Sequence, residues 1–301
     1  MLEKEIDLKL FQTLAVVVQS GSFESGAKKL GLTQSAVSHR IKSLEQLVGQ
    51  AVLLRTTPVQ ATEVGERLIS HVQYVSSMQI DLLQELNESA SSKATKIAIG
   101  TNADSLATYL FDAISPTVIR EDLLIEFVVD DQSRTNHLLR TGRVQGCITS
   151  VEKSSPGTHV EYLGVMKYLC VASAEFKRRY FPQGVKREAI NNAPAAIFNQ
   201  KDDLHFEYLR KFFEIEDTDF AYHFIPSSEG FLTAALNSIA YALIPEPQCS
   251  QALARKKLIN LTPKKTMDVP LYWHSWERQP KRLRALSKAI IEHARRVLDP
   301  H

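Results

Sequence analysis

The stretch from Ser22 to Leu47, SFESGAKKLGLTQSAVSHRIKSLEQL, decides how this chain is read. It parses as two short helices joined by a tight turn. The first, from about Ser22 to Leu30, opens on a serine whose hydroxyl suits an N-cap and closes on Gly31, which takes positive φ without steric cost. Ala27 is small enough to let a second helix cross close by. Thr33 can cap that second helix, after which Val37, Ile41, Leu44 and Val48 recur at helical spacing and are expected to face the other helices. On the opposite face Gln34, Ser35, Ser38, His39 and Lys42 share steps of three and four, with no acid among them. Short or flexible groups of this kind reach base edges and phosphates in a major groove. A merely solvated amphipathic hairpin fits the same residues equally well, because a neutral Ser/Gln face is weakly diagnostic.

The flanks weigh against the solvated hairpin. Val52, Leu53 and Leu54, then Arg55, Thr56 and Thr57, then Pro58 to Ala61 read as a short hairpin, a wing that would set Arg55 against the phosphate backbone. Upstream, Leu8, Phe11, Leu14, Ala15 and Val18 line one helical face and supply the third wall that such a hairpin buries itself against. The spacing of Leu10-Phe11, Gly21-Ser22-Phe23, Ala27, Leu30, Thr33 to Ser38, Ile41, Leu44-Glu45, Gly49, Arg55 and Thr62-Glu63-x-Gly65 resembles LysR-type transcriptional regulators, and length and order agree along the whole chain. His39 stands where that family more often has Gln or Arg, and Leu53 where it usually has Phe. Helix face, wing and resemblance together nominate Ser22, Thr33, Gln34, Ser35, Ser38, His39, Lys42 and Arg55 as contacts to double-stranded DNA.

A chain of 301 residues with 44% hydrophobic content is long enough for two or three buried cores. The net charge of +2 marks no global nucleic-acid binder, so the electrostatic footprint is expected to be local, from Lys28, Lys29, Arg40, Lys42 and Arg55. The three cysteines, Cys147, Cys170 and Cys249, form no C-x-x-C pair, which argues against a zinc site and a disulfide framework and fits a reducing cytoplasm. The N-terminus lacks a signal peptide's apolar core, and no run approaches the ~20 apolar residues of a membrane span. An enzyme of the amino-acid-processing kind finds little footing, with no G-x-S-x-G, H-E-x-x-H, G-x-x-x-x-G-K-[ST] or G-x-G-x-x-G motif and with dispersed histidines. His274 in Tyr272-Trp273-His274 reads better as a hydrogen-bonded core histidine, so no catalytic residue, metal site or cofactor is expected.

Thr62 is the expected N-cap of a long helix from about Glu63 to Leu86, with Glu63 and Glu66 in the first turn where the helix dipole favours acids. Leu68, Val72, Val75, Leu82 and Leu86 fall near a heptad seam with Gln79 as a polar interruption, which predicts pairing with a twin helix. The small polar run 89–95, SASSKAT, reads as a joint. Beyond it, strand candidates at Lys96 to Gly100, Leu124 to Val129 and Gly146 to Thr149 alternate with helices near Ser105 to Ile114 and Arg134 to Thr141, which argues for parallel α/β layers. Further strands are expected at Tyr168 to Ala172, Ala195 to Phe198, Ala221 to Ile225 and Tyr241 to Ile244. A last helix after Pro280 carries Leu283, Leu286, Ile290 and Val297 on one face.

The resemblance implies the assembly: an α+β multidomain chain with an N-terminal winged helix-turn-helix, a dimerisation linker helix and a two-lobed α/β effector domain like a periplasmic binding protein. The expected division is residues 1–61 for DNA binding, 62–88 for the linker, 89–95 for the hinge, 96–164 with 270–301 for lobe 1, and 165–269 for lobe 2, with crossings near Gly164 to Lys167 and Lys265 to Leu271. It also implies self-association into dimers, commonly tetramers, and RNA polymerase as a further partner. Ligands in open α/β sheets lie beyond strand carboxyl ends, where helix N-termini present N–H groups. Two strand-to-helix passages fit, 101–105 with Asn102, Ala103, Asp104 and Ser105, and 227–229 with Ser228 and Glu229; ordinary N-capping explains either passage as well.

NADSLATYL at Asn102 to Leu110, DDQSRT at Asp130 to Thr135, YFPQGV at Tyr180 to Val185, SSEGF at Ser227 to Phe231 and LYWH at Leu271 to His274 resemble the ArgP branch of the family, whereas Gly230 to Pro245 departs from it. That branch senses lysine and arginine and controls export of basic amino acids, so the resemblance implies such an effector here; a different small metabolite is the alternative. Asp104, Asp130, Asp202, Asp203 and Glu229 lie in or near strand-end loops where an acid can pair with an ammonium or guanidinium tail, and Thr149 stands where the family's cleft uses a polar side chain.

Overall fold

A computed structural model describes residues 7–54, 56–86, 95–130, 135–155, 157–200, 202–215 and 220–300. The head is built by α1 (Leu8–Ser20), α2 (Phe23–Leu30) and α3 (Gln34–Val48), followed by a two-stranded wing, β1 (Leu53–Leu54) antiparallel to β2 (Gln60–Ala61). Its local chemistry is the expected one. Ser22 Oγ accepts from Ser25 N at 3.1 Å, Thr33 Oγ1 accepts from Ala36 N at 3.2 Å, and Gly31 ends α2 at φ 66°. Phe11, Leu14 and Ala15 of α1 bury against Ile41 and Leu44 of α3, and Val37 packs with Ala27 and Val17. Arg55 lies outside the described residues.

Helix α4 (Glu63–Leu86) starts at Thr62, whose hydroxyl accepts from Gly65 N at 3.1 Å. The expected seam is divided between two tasks. Leu68 and Val72, with Ile69, pack into the head's own core, because Phe11 and Leu14 of α1 lie beneath them. Among the described side chains, the distal part presents Met78, Leu82 and Leu83 to solvent. The side chain of Leu86 and residues 87–94 of the expected joint lie outside the described residues; Thr95 already belongs to the next strand.

The remainder runs β3 (Thr95–Thr101), α5 (Ala103–Ser105), a π-helical turn (Leu106–Leu110), α6 (Phe111–Arg120), β4 (Leu123–Val129), α7 (Thr135–Arg140) and β5 (Gly146–Thr149). Then come β6 (Thr158–Ala172), α8 (Ala174–Tyr180), α9 (Arg187–Asn192), β7 (Ala195–Ile197), α10 (Leu204–Phe213), β8 (Tyr222–Phe224), α11 (Ser228–Leu236), β9 (Ala242–Pro245) and α12 (Glu246–Ala254). The last elements are β10 (Ile259–Asn260), β11 (Met267–Trp276) and α13 (Lys281–Val297). The expected parallel pairing appears in both lobes, among β3, β4 and β5 and again between β7 and β8, with Ala195 bridged in parallel to Tyr241; the larger sheet is mixed because β11 returns antiparallel to both β5 and β6. β6 and β11 are long and pair along almost their whole length, so they pass together from one lobe into the other. Gly164, at φ +137°, and a register shift between Leu271 and Tyr272 mark that passage. Val165 bridges Asp299 there, and Lys167 Nζ meets Asp299 Oδ2 at 2.7 Å. On α13 the buried face is Leu283, Leu286, Ile290 and Ala294; Val297 is exposed, and the next residue, Leu298, takes the core position instead.

Candidate functional site

On α3, Gln34, Ser35, His39 and Lys42 are exposed on one face and Ser38 is half-buried beside them, while Val37, Ile41 and Leu44 hold the helix from behind. Thr33 Oγ1 lies 3.1 Å from Ser35 Oγ, so the cap and the second residue of the helix are organised together. Glu45 Oε1 accepts from Val52 N at 3.1 Å, which ties the start of the wing to α3. Two of the expected local cations are partly engaged: Arg40 donates to Thr13 Oγ1 at 3.3 Å, and Lys28 pairs with Glu24 at 3.0 Å. Lys42 stands on the exposed face. An α-helix presented this way, with a wing at its flank, has the dimensions to enter a major groove.

The second site is a cavity of about 320 Å³ between the lobes. Of the nine nominated effector residues, Asn102, Ala103, Asp104, Asp130, Asp203 and Ser228 line it. Three do not. Ser105 is fully buried behind its floor; Thr149 is buried, with its hydroxyl accepting from Val151 N at 3.2 Å, and the next residue, Ser150, faces the cavity instead; Glu229 is exposed on the outer side of α11. Residues 131–134 of DDQSRT lie outside the described residues.

Asn102 and Ser227 cap the two helices that converge here, by Asn102 Oδ1 accepting from Ser105 N at 2.8 Å and Ser227 Oγ from Gly230 N at 3.0 Å. Both present positive helix ends toward the cleft. Asp104 spans the lobes: its Oδ1 accepts from Ser228 Oγ at 2.6 Å and its Oδ2 from Tyr168 OH at 2.7 Å. Burial, first, and the neighbouring Asp104 carboxylate, second, push the Tyr168 phenol far above its ordinary range, so it remains a donor. Asp202 is a loop organiser, with Oδ2 accepting from Phe198 N at 2.9 Å and Oδ1 from Leu204 N at 3.2 Å.

Sequence reasoning missed Tyr168, Ser150, Phe198, His205, Glu207 and Asp268 of the lining. His205 is buried, its Nε2 lies 3.1 Å from Tyr241 OH, and burial lowers its pKa to about 3, so it is neutral. The lining thus holds six acids, Asp104, Asp130, Asp202, Asp203, Glu207 and Asp268, and no Lys or Arg among the described residues. An excess of acids with a neutral imidazole favours a cationic guest. An isolated Asp inside an apolar strand run, as in Met267-Asp268-Val269, was the one sequence signal that could have added to the list.

Residues 8–66 match the family model described as a bacterial regulatory helix-turn-helix protein, lysR family. Along nearly its full length the chain is 36% identical to the HTH-type transcriptional regulator ArgP of Aeromonas salmonicida, covering 99% of each protein. Its fold matches the crystal structure of ArgP from Mycobacterium tuberculosis with a TM-score of 0.84 and 34% identity, over 99% of this chain and 100% of that one. It also matches the full-length regulator LysG from Corynebacterium glutamicum with bound effector Arg, at a TM-score of 0.79 and 29% identity, over 98% and 100% of the two chains. Head, linker helix and two-lobed remainder are therefore shared from end to end with regulators rather than enzymes, and the chain belongs to the LysR family of helix-turn-helix transcriptional regulators.

Proposed function

We propose that this regulator binds a basic amino acid, lysine or arginine, between its lobes and thereby controls genes for the export or metabolism of basic amino acids. The observation that carries the reading is the lining of the cleft: six acids and no described Lys or Arg, with two helix N-termini converging on the same space. In this reading the effector's carboxylate meets the helix ends while its cationic groups meet the acids. The effector Arg carried by the related LysG supports the same choice. The proposed division is residues 1–61 for DNA reading, 62–88 for the linker, 89–94 for the hinge, 95–164 with 270–301 for lobe 1 and 165–269 for lobe 2. Ser22, Thr33, Gln34, Ser35, Ser38, His39, Lys42 and Arg55 are its proposed DNA contacts.

The exposed Met78, Leu82 and Leu83 of α4 support self-association through that helix, with dimers pairing into tetramers and RNA polymerase as a further partner in the cytoplasm. Calorimetry of the full-length protein with lysine, arginine, citrulline and norleucine tests the effector. Heat from the two basic amino acids alone is the expected result. Silence toward both removes the assignment and leaves another metabolite as effector.

A further inference from the structure

One stripe of the first turns of α4 faces the effector lobe, while Glu63 and Arg67 are exposed. Glu66, with a side chain only 12% exposed, receives the Arg140 guanidinium of α7 on one carboxylate oxygen, and His137 Nδ1 lies 3.9 Å from the other. One turn on, the Ser70 hydroxyl donates to the Arg140 carbonyl at 3.2 Å. Gln73 then lies over Gly142, where φ is +64° and an added Cβ would fall 1.8 Å from Gln73 Oε1. Spacings of four and three place Glu66, Ser70 and Gln73 on one stripe of the helix. That stripe grips the C-terminal end of α7.

Cavities of about 350, 360 and 280 Å³ flank the stripe, each walled partly by α4 and partly by the effector lobe, and Trp276 lines all three. The apolar side chains nearby are committed elsewhere. Ile69 and Val72 of α4 are buried in the head's core, while Leu139, Val144, Cys147 and Trp276 form a cluster of the lobe's own. Parting α4 from α7 therefore breaks polar contacts and leaves both cores whole.

The other end of α7 is tied to the strand that leads to the effector cleft. Thr135 is buried, and its hydroxyl donates to the Ile148 carbonyl of β5 at 2.6 Å. Ser150, just beyond β5, lines the cleft, as does Asp130 at the end of β4. A six-residue helix is thus bonded at one end to the strand that leads to the cleft and at the other to the linker helix of the DNA-reading head.

We propose that the α4–α7 contact is a releasable dock, held by Glu66 and Arg140, whose occupancy sets the angle between head and effector lobe. Filling the cleft shifts that occupancy through β5 and α7. This second statement rests on the effector reading above; the dock itself does not.

Acrylamide quenching of tryptophan fluorescence in the full-length protein tests it. The chain has two tryptophans, and Trp273 is 1% exposed within the sheet, so release of α4 is reported by Trp276, with Trp276→Phe assigning the signal. Glu66→Gln and Arg140→Ala are each expected to raise the quenching constant about twofold or more, with unchanged far-ultraviolet dichroism, and the double variant to add nothing further. Quenching equal to wild type in both variants overturns the dock. Saturating arginine is the probe for coupling: it is expected to change quenching in wild type and not in the variants. Wild type that binds arginine calorimetrically without any change in quenching overturns the coupling. Wild type that binds no arginine, beside variants that still quench more, overturns the effector reading and supports the dock.

Discussion

Replacing Asp104 by alanine removes the acceptor for two hydroxyls at once, Ser228 Oγ from lobe 2 and Tyr168 OH from the crossing strand. Both hydroxyls line the cleft, and Ser228 Oγ also lies 3.1 Å from Gln248 Oε1, so the loss at Tyr168 is the larger part. A hydrogen bond to a charged acceptor is worth ~1.5–3 kcal/mol, so the loss of the Tyr168 bond, with Gln248 still available to Ser228, sets the expected destabilisation at ~2 kcal/mol. Asp104→Asn keeps a carbonyl acceptor and adds an amide donor toward a hydroxyl that can rotate to accept, so its loss is expected near 1 kcal/mol. Urea unfolding at neutral pH, followed by dichroism, gives both numbers, and arginine calorimetry on the folded variants gives a third. A loss for Asp104→Ala within about 0.5 kcal/mol of zero refutes the bridge. A stability loss with unchanged arginine affinity keeps the bridge and excludes Asp104 from ligand contact.

Gly65→Ala places a Cβ 2.1 Å from the Val52 carbonyl oxygen, a backbone atom that can yield only if the wing shifts; the expected cost is ~1–3 kcal/mol in melting experiments, with weakened DNA binding. Lys42→Ala is expected to weaken DNA binding and flatten its salt slope by up to ~1, and unchanged slope and affinity would remove Lys42 from the interface. His205 holds a folded pKa of about 3 against an ordinary 6.5, because burial penalises the charged ring. Its neutral form contributes stability that is present above pH 6.5 and is lost as pH falls toward 3, amounting to ~2 kcal/mol at pH 5. His205→Phe should flatten that acid limb, and an unchanged limb would show that another group carries it.

The head was legible because its signals are local. Ser22, Gly31 and Thr33 act within one turn of themselves, and the 3.6-residue spacing of Val37, Ile41 and Leu44 carries its own facing. The cleft was legible in place and less so in orientation. Strand-end loops at 101–105 and 227–229 were found, yet whether Thr149 or Ser150, Ser228 or Glu229, looks inward depends on how two lobes are set, which no local pattern encodes. Tyr168 was hidden differently: Met166, Tyr168, Leu169, Cys170 and Val171 are all buried, so the strand has no alternation to betray the cleft side. The seam on α4 misled for a related reason, since Leu68 and Val72 satisfy a heptad and a neighbouring α1 alike.

The paired β6 and β11 that carry the chain between lobes also restrict what the lobes can do. A ribbon of two hydrogen-bonded strands resists stretching and shearing, because either motion breaks its ladder, but it twists readily, as two-stranded ribbons show by their wide range of natural twist. Gly164 and the register shift at Leu271 soften that twist at one level, while Asp299, bonded to Val165 and Lys167, splints the same level from outside. The lobes are left with essentially one soft coordinate, a torsion about the ribbon. In the proposed coupling, a torsion set by the cleft's occupant reaches the α4–α7 dock as an angle, and over a helix about 36 Å long an angle becomes a displacement of several ångströms at the far end.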